Sequence, residues 1–270
     1  MASRFVAAAA GALLFAGAAQ AAEIKVLSTQ ATEDAYKELV PQFEQATGHK
    51  VTTVFTGTLG ANKRLADGES YDMLIMSSTS IDEHLKSGKL AAGSRVDLAR
   101  SGVGIGVKTG ARKPDISSVE ALKTAMLSAR SIGYSTGPSG IYIVSLFEKL
   151  GIADQIKDKL KQTPTGVFVG TIIANGEVEI GVQQVSELSQ FPGVDYVGPL
   201  PEPVQRYTTF SSGIAAGAKE SEAAKALVKL LAAPAAAQAY KKRGMANSSL
   251  LVLPSRIAPS RQRLAVTVDS

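Results

Sequence analysis

The 270-residue sequence has no cysteine, no tryptophan and only two histidines. Without cysteine there is no disulfide, no thiol nucleophile and no thiolate metal site. His49 follows a helix-ending glycine, and His84 sits beside Asp82 and Glu83 in a helix expected at the surface. Both are read as solvated, and two isolated histidines make a poor metal site. No H-E-x-x-H zinc motif and no G-x-S-x-G nucleophile elbow occurs. Gly102-Val103-Gly104-Ile105-Gly106 opens like a nucleotide loop, but the third glycine of that fingerprint would fall on Thr109, and no G-K-[ST] follows. A strand packed closely against other backbone accounts for those glycines. The sequence therefore predicts no cofactor and no metal.

What is present begins with an apolar start. Arg4 supplies a positive charge, Phe5 to Gly17 carries none, and Ala19-Gln20-Ala21 gives a small-x-small cleavage pattern. Residues 1–21 read as a secretory signal peptide cut after Ala21. The run is shorter than the roughly 20 apolar residues of a membrane span. The expected localisation is the periplasm. Hydrophobic residues make up 45% of the chain and charged ones 20%, enough apolar material for a large core. The formal net charge is +5. Export argues against a nucleic-acid partner, and a basic surface attracts anions.

Strand and helix patterns alternate along the chain. Ile24 to Leu27 and Val51 to Phe55 read as strands. Between them Tyr36, Leu39, Val40 and Phe43 form a helical stripe over 32–47, capped by Thr32 and interrupted at Pro41. Further helices are expected at 62–67, 80–87, 119–129 and 141–150, the third opened by a capping box on Ser117 and Glu120. Strands are expected at 71–76, 103–107, 131–135 and 178–182. Alternation of this kind predicts parallel βαβ units and an α/β fold. Residues 246–270 show no clear period and are expected to be a disordered tail.

In open α/β sheets, ligands bind beyond the carboxyl ends of strands, where helices begin. Four such turns stand out: Ser28 to Thr32, Thr56 to Gly60, Ser135 to Gly140 and Gln183 to Ser186. All four are rich in hydroxyls, amides or glycine, and none carries a charge. Free N–H groups at helix starts and neutral hydroxyls hold an anion without a formal cation. The ordinary role of such residues is capping and turning; four alike point to an anion cradle. The candidate ligand-binding residues are Ser28, Thr29, Thr56, Thr58, Ser139, Gly140, Tyr142, Gln183 and Gln184.

Several stretches resemble the molybdate-type periplasmic solute-binding proteins of ABC transporters. The carriers are Ile24 to Leu39, Phe55 to Met76 with its YDMLIM strand, Pro138-Ser139-Gly140-Ile141-Tyr142 running on to Leu150-Gly151, and Asn175-Gly176-Glu177 with Ile180-Gly181-Val182. The resemblance implies a type 2 periplasmic-binding fold. Two lobes, each a mainly parallel sheet flanked by helices, would be joined by two hinge crossings. Residues 22–104 plus 209–245 would form the first lobe and 105–208 the second. The sequence departs from the molybdate binders at Ala31, at Thr56-Gly57-Thr58-Leu59 and at Gln184, where they carry Ser, a run of Ser, and Tyr. It is more similar to a divergent branch that includes a periplasmic aconitate isomerase. Ser94 to Leu98, Lys113 to Ser117, Ser139 to Tyr142, Gln183 to Leu188 and Pro192 to Asp195 carry that likeness.

Two functions are implied. One is a monomeric receptor that captures a small anion, an oxyanion or a di- or tricarboxylate, for an ABC transporter permease. The other is an aconitate isomerase, which needs a base that removes a proton and returns it at another carbon. Glu187 and Tyr142 are the candidate catalytic residues for that reading.

Overall fold

The computed structural model describes residues 21–247. In chain order the first elements are β1 (Glu23–Thr29), α1 (Glu33–Thr47), β2 (Lys50–Thr56), α2 (Thr58–Ala66), β3 (Met73–Ser77) and α3 (Ser78–Lys86). The long β4 (Val96–Lys108) leads to α4 (Val119–Ser128), β5 (Ile132–Tyr134), α5 (Pro138–Lys149), α6 (Ala153–Ile156), β6 (Leu160–Gln162) and α7 (Val169–Ala174). The chain finishes with β7 (Ile180–Gln184), α8 (Val185–Leu188), β8 (Val194–Pro199), β9 (Tyr207–Ile214), α9 (Ser221–Ala232), α10 (Ala237–Lys242) and β10 (Ala246–Asn247).

The strands form two blocks of parallel pairs, β2-β1-β3 and β6-β5-β7. Antiparallel strands link the blocks. β9 pairs with β3, and β4 pairs with β9 on one side and β7 on the other. The sheet is thus mixed, with its parallel character concentrated where βαβ units occur. β4 belongs to both halves: up to Gly102 it pairs with β9, and from Val103 with β7. Gln205 clips this point, its Oε1 accepting the Val103 N–H at 2.9 Å and its Nε2 donating to the Val103 carbonyl at 3.0 Å.

Each half has its own core. Ile24, Phe43, Met73, Phe210, Leu227 and Tyr240 pack in one, and Ile105, Met126, Ile132, Phe147 and Val182 in the other. Leu200 belongs to the second core and Phe210 to the first, so the chain passes between lobes again between these two residues. This is the expected two-lobed α/β architecture.

Several local expectations are corrected. A short 3-10 turn, Gln30–Thr32, precedes α1; Thr29 caps the turn with its side chain, whereas Thr32, at the N-cap position of α1, makes no side-chain cap bond. Thr32 is itself helical and donates its hydroxyl to the Thr29 carbonyl. α1 runs through Pro41 without a break. The helices after β2 and β5 start four and three residues earlier than their apolar stripes suggest, at Thr58 and Pro138. Their first turns are made of small polar residues, which carry no periodic signal. The cap of α4 is Ser118, whose Oγ accepts the Ala121 N–H at 3.1 Å. His84 is buried, because it lies on the inward face of α3, where Nε2 meets Asn62 Oδ1 at 3.3 Å. Ala246 and Asn247, assigned from sequence to the tail, pair with β4. The signal segment to residue 20 and the tail from residue 248 lie outside the described residues.

Candidate functional site

All four strand-to-helix turns converge on one small cavity between the lobes. From the first lobe come Thr29, Gln30 and Ala31 after β1, and Gly57 after β2. From the second come Ser135, Thr136, Gly137 and Pro138 after β5, together with Val167, Gln183 and Glu187. The cavity is about 10 Å³, room for about one water molecule. The lobes therefore stand closed on each other. Gln30 Nε2 reaches across to the Gly166 carbonyl at 3.0 Å.

Wider grooves exist, of about 470 Å³ along α1, α9 and α10, and about 730 Å³ beneath α4. Neither gathers these turns. A mouth of about 380 Å³ between Thr56, Gly60 and α2 on one side and Thr165 and Gly166 on the other opens outside the small cavity. Its cations are matched: Lys63 pairs with Asp67 at 2.7 Å and Arg64 with Glu69 at 2.9 Å.

Local chemistry explains why the turns meet. The residues opening the α1 turn, α2 and α5 carry N–H groups with no partner inside their own helix. Those amides and the helix dipoles make the cavity wall electropositive without any side-chain cation. Pro138 starts α5 at the position where its missing N–H costs nothing. Gly140 is required by space. A Cβ there would stand 1.7 Å from the Ser135 carbonyl oxygen, so only glycine lets α5 start this close to β5.

The side chains named from sequence divide into two groups. Thr29 and Gln183 line the cavity, as does Glu187. Ser28 and Ser139 are buried beneath it: the Ser28 hydroxyl meets Thr32 Oγ1 at 3.2 Å, and Ser139 Oγ meets Ser135 Oγ at 3.3 Å. Thr56 lies at the outer mouth. Thr58 is half-buried in the first turn of α2, and Gly140 is packed against β5. Tyr142 donates its hydroxyl to the Val204 carbonyl at 2.7 Å, within its own lobe. Gln184 points to the lobe crossing. With its amide oriented to satisfy both ends, its nitrogen donates to the Ser101 and Gly102 carbonyls at 3.2 and 3.1 Å, and its oxygen accepts from Thr208. Successive strand side chains face opposite sides, so Gln183 and Gln184 cannot both face one cavity.

Gln30, Gly57, Thr136 and Gly137 belong to the turns singled out from sequence but not to the candidate side chains. Val167 gave no signal at all. It lies in the connection from β6 to α7, a fifth strand-to-helix turn that the hydroxyl-and-glycine pattern did not single out.

Glu187 is the one ionisable group among the lining residues. It occupies the third position of α8 and accepts the backbone N–H of Gln184, the reach-back of a capping box. Gln183 is fixed in orientation because its Oε1 accepts the Val169 N–H at 2.9 Å. Its Nε2 therefore donates to Glu187 Oε1, at 2.8 Å. The residue keeps partial exposure, but protein packed around the carboxyl pushes its pKa up to about 8. The carboxylates of Glu33 and Asp34 add to the rise, while the Gln184 and Gln183 donors oppose it. Near neutrality Glu187 is thus mostly a neutral acid, able to donate an O–H. No cluster of three or more His, Asp or Glu suited to a metal ion occurs among the described residues. No helix there is long and apolar enough to cross a membrane.

Known proteins with this architecture carry related chemistry. Residues 24–246 match the family model described as bacterial extracellular solute-binding protein. An aconitate isomerase from a Pseudomonas species is 35% identical over 228 residues, covering 82% of this chain and 87% of that protein. The molybdate-binding protein ModA of Azotobacter vinelandii is 31% identical over 243 residues, covering 87% and 94%. Among solved structures, a periplasmic molybdate-binding protein of Azotobacter vinelandii superposes with a TM-score of 0.69 at 18% identity, covering 82% of this chain and 98% of that one. The cleft between two α/β lobes and the family match agree: this chain belongs to the bacterial extracellular solute-binding proteins.

Proposed function

We propose that this protein is a periplasmic receptor that closes two lobes around a small anion and delivers it to an ABC transporter. One observation carries the reading: hydroxyl, amide and helix-start groups from both lobes meet at one cavity that no cation lines. That is how a protein holds a negative guest by dipoles and hydrogen bonds alone. In this reading residues 22–104 plus 209–245 move against residues 105–208 by hinge bending at the β4 crossing. The mature chain starts after the signal segment and works as a monomer. The similarity to a molybdate-binding protein supports an oxyanion guest, and the similarity to aconitate isomerase supports a carboxylate.

The test is a thermal-shift panel of molybdate, tungstate, sulfate, phosphate, tricarballylate and the aconitates. A ligand at one hundred times its Kd stabilises the folded state by about 2.7 kcal/mol, a shift of several degrees. A flat panel would reject the receptor.

Glu187 favours a second reading, isomerisation of aconitate. The Glu187 carboxylate takes a proton from the methylene carbon, the double bond moves over, and the same proton is returned to the former vinylic carbon. No atom is gained or lost. A base of raised pKa in a closed cleft suits this step. Tyr142, whose hydroxyl is committed to Val204, suits it less. Turnover of trans-aconitate, read as a changing isomer ratio and lost in Glu187→Gln, would establish the enzyme over the receptor. A constant ratio with wild-type protein would remove it.

A further inference from the structure

We propose that the cleft captures its anion together with one proton, carried by Glu187, so that affinity falls in alkaline conditions. This rests on the anion-binding reading of the cavity and adds its regulation by pH.

Geometry places the proton. Gln183 cannot turn its amide around without losing the Val169 N–H, so Glu187 Oε1 stays an acceptor of the Gln183 donor. The proton then belongs on Oε2, from which an O–H can reach an anion. Ionised, Glu187 would set a second negative charge against the guest in a space with room for about one water.

The surroundings hold no compensating cation. The elements packed on α8 are β4, β7, β8, α7 and the turn before α1. β7 and α7 carry no charged residue. β4 brings Asp97, Arg100 and Lys108, and β8 brings Asp195 and Tyr196. Glu33 and Asp34 stand at the start of α1, and Arg243, near α8 through Gln190, faces Asp34 at 3.8 Å and Glu38 at 4.0 Å. Arg100 lies over the Tyr207 ring at 4.7 Å. The charges that act on Glu187 are Glu33 and Asp34, and both favour the protonated acid.

Isothermal calorimetry decides, with molybdate and tricarballylate as probes, at several pH values between 7 and 9.5 and in two buffers of different ionisation heat. Both probes are fully ionised over the upper part of that range. The expected result is a flat affinity up to about pH 8, then a loss of about tenfold per pH unit, with proton uptake approaching one per anion. Glu187→Gln should bind with no slope. If that variant fails to fold, the wild-type proton count alone decides. A wild-type affinity independent of pH, or zero proton uptake at pH 9, overturns the proposal while leaving the anion cleft intact. Failure of every anion to bind at pH 7 overturns the cleft itself, and this inference with it.

Discussion

Gly57 and Thr136 face each other across the closed cleft, and a Cβ built on Gly57 would stand 2.6 Å from the Thr136 hydroxyl oxygen. Gly57 has an extended backbone, φ −74°, which any residue adopts. Its lack of a side chain therefore serves the approach of the two lobes rather than the folding of either. Replacing it with a larger residue should hold the lobes apart without disturbing their cores. Gly57→Val is expected to weaken binding of the best anion by at least tenfold, while the melting temperature of the free protein moves by no more than a couple of degrees. Calorimetry and a thermal melt check this, and unchanged affinity would show that closure is not tight at this contact.

Gly140 is the opposite case. Its missing Cβ serves the interior of one lobe, since the obstructing atom is the Ser135 backbone carbonyl. Backbone cannot rotate out of the way as a side chain does. Gly140→Ala should cost about 3 kcal/mol or more, as overpacking against rigid atoms does. Denaturant unfolding of the free protein measures it. A loss below about 1 kcal/mol would mean that α5 shifts easily along β5.

Glu187 should also tie stability to pH in the absence of ligand. Its folded pKa lies at about 8, above the ordinary value of 4.5. The unfolded chain gives up this proton first as pH rises. Its contribution to stability is therefore fully present below about pH 4.5 and is progressively lost up to pH 8, with no further change beyond. Glu187→Gln removes the dependence. The melting temperature of the variant is expected to pull ahead of wild type steadily between pH 5 and 8, by several degrees at the upper end. Parallel melting curves across that range would show that the carboxyl ionises freely in the folded state.

The turns of this fold were legible from sequence, but the individual side chains only in part. Alternating strands and helices, hydroxyl-rich turns and helix-stopping glycines locate four of the five loops that meet in the cavity, all but the one carrying Val167. Choosing among residues within a loop requires the helix start, and small polar residues hide it. The apolar stripe of α5 begins at Ile141, yet the helix begins at Pro138, which turns Ser139 inward to Ser135. For Gln183 and Gln184, strand alternation alone sends one amide to the cavity and the other to the crossing. Which one goes where depends on the pairing of β7 with β4, Gly104 opposite Gln183. That contact joins residues far apart in sequence and leaves no local trace.

The Gln205 clip on Val103 carries a mechanical consequence. β4 threads both cores, and the point where it passes from β9 to β7 is fastened by a side chain from the returning connection. Neither half can lose its share of β4 without loosening the other. Melting should therefore run as a single transition, with both lobes folding and failing together.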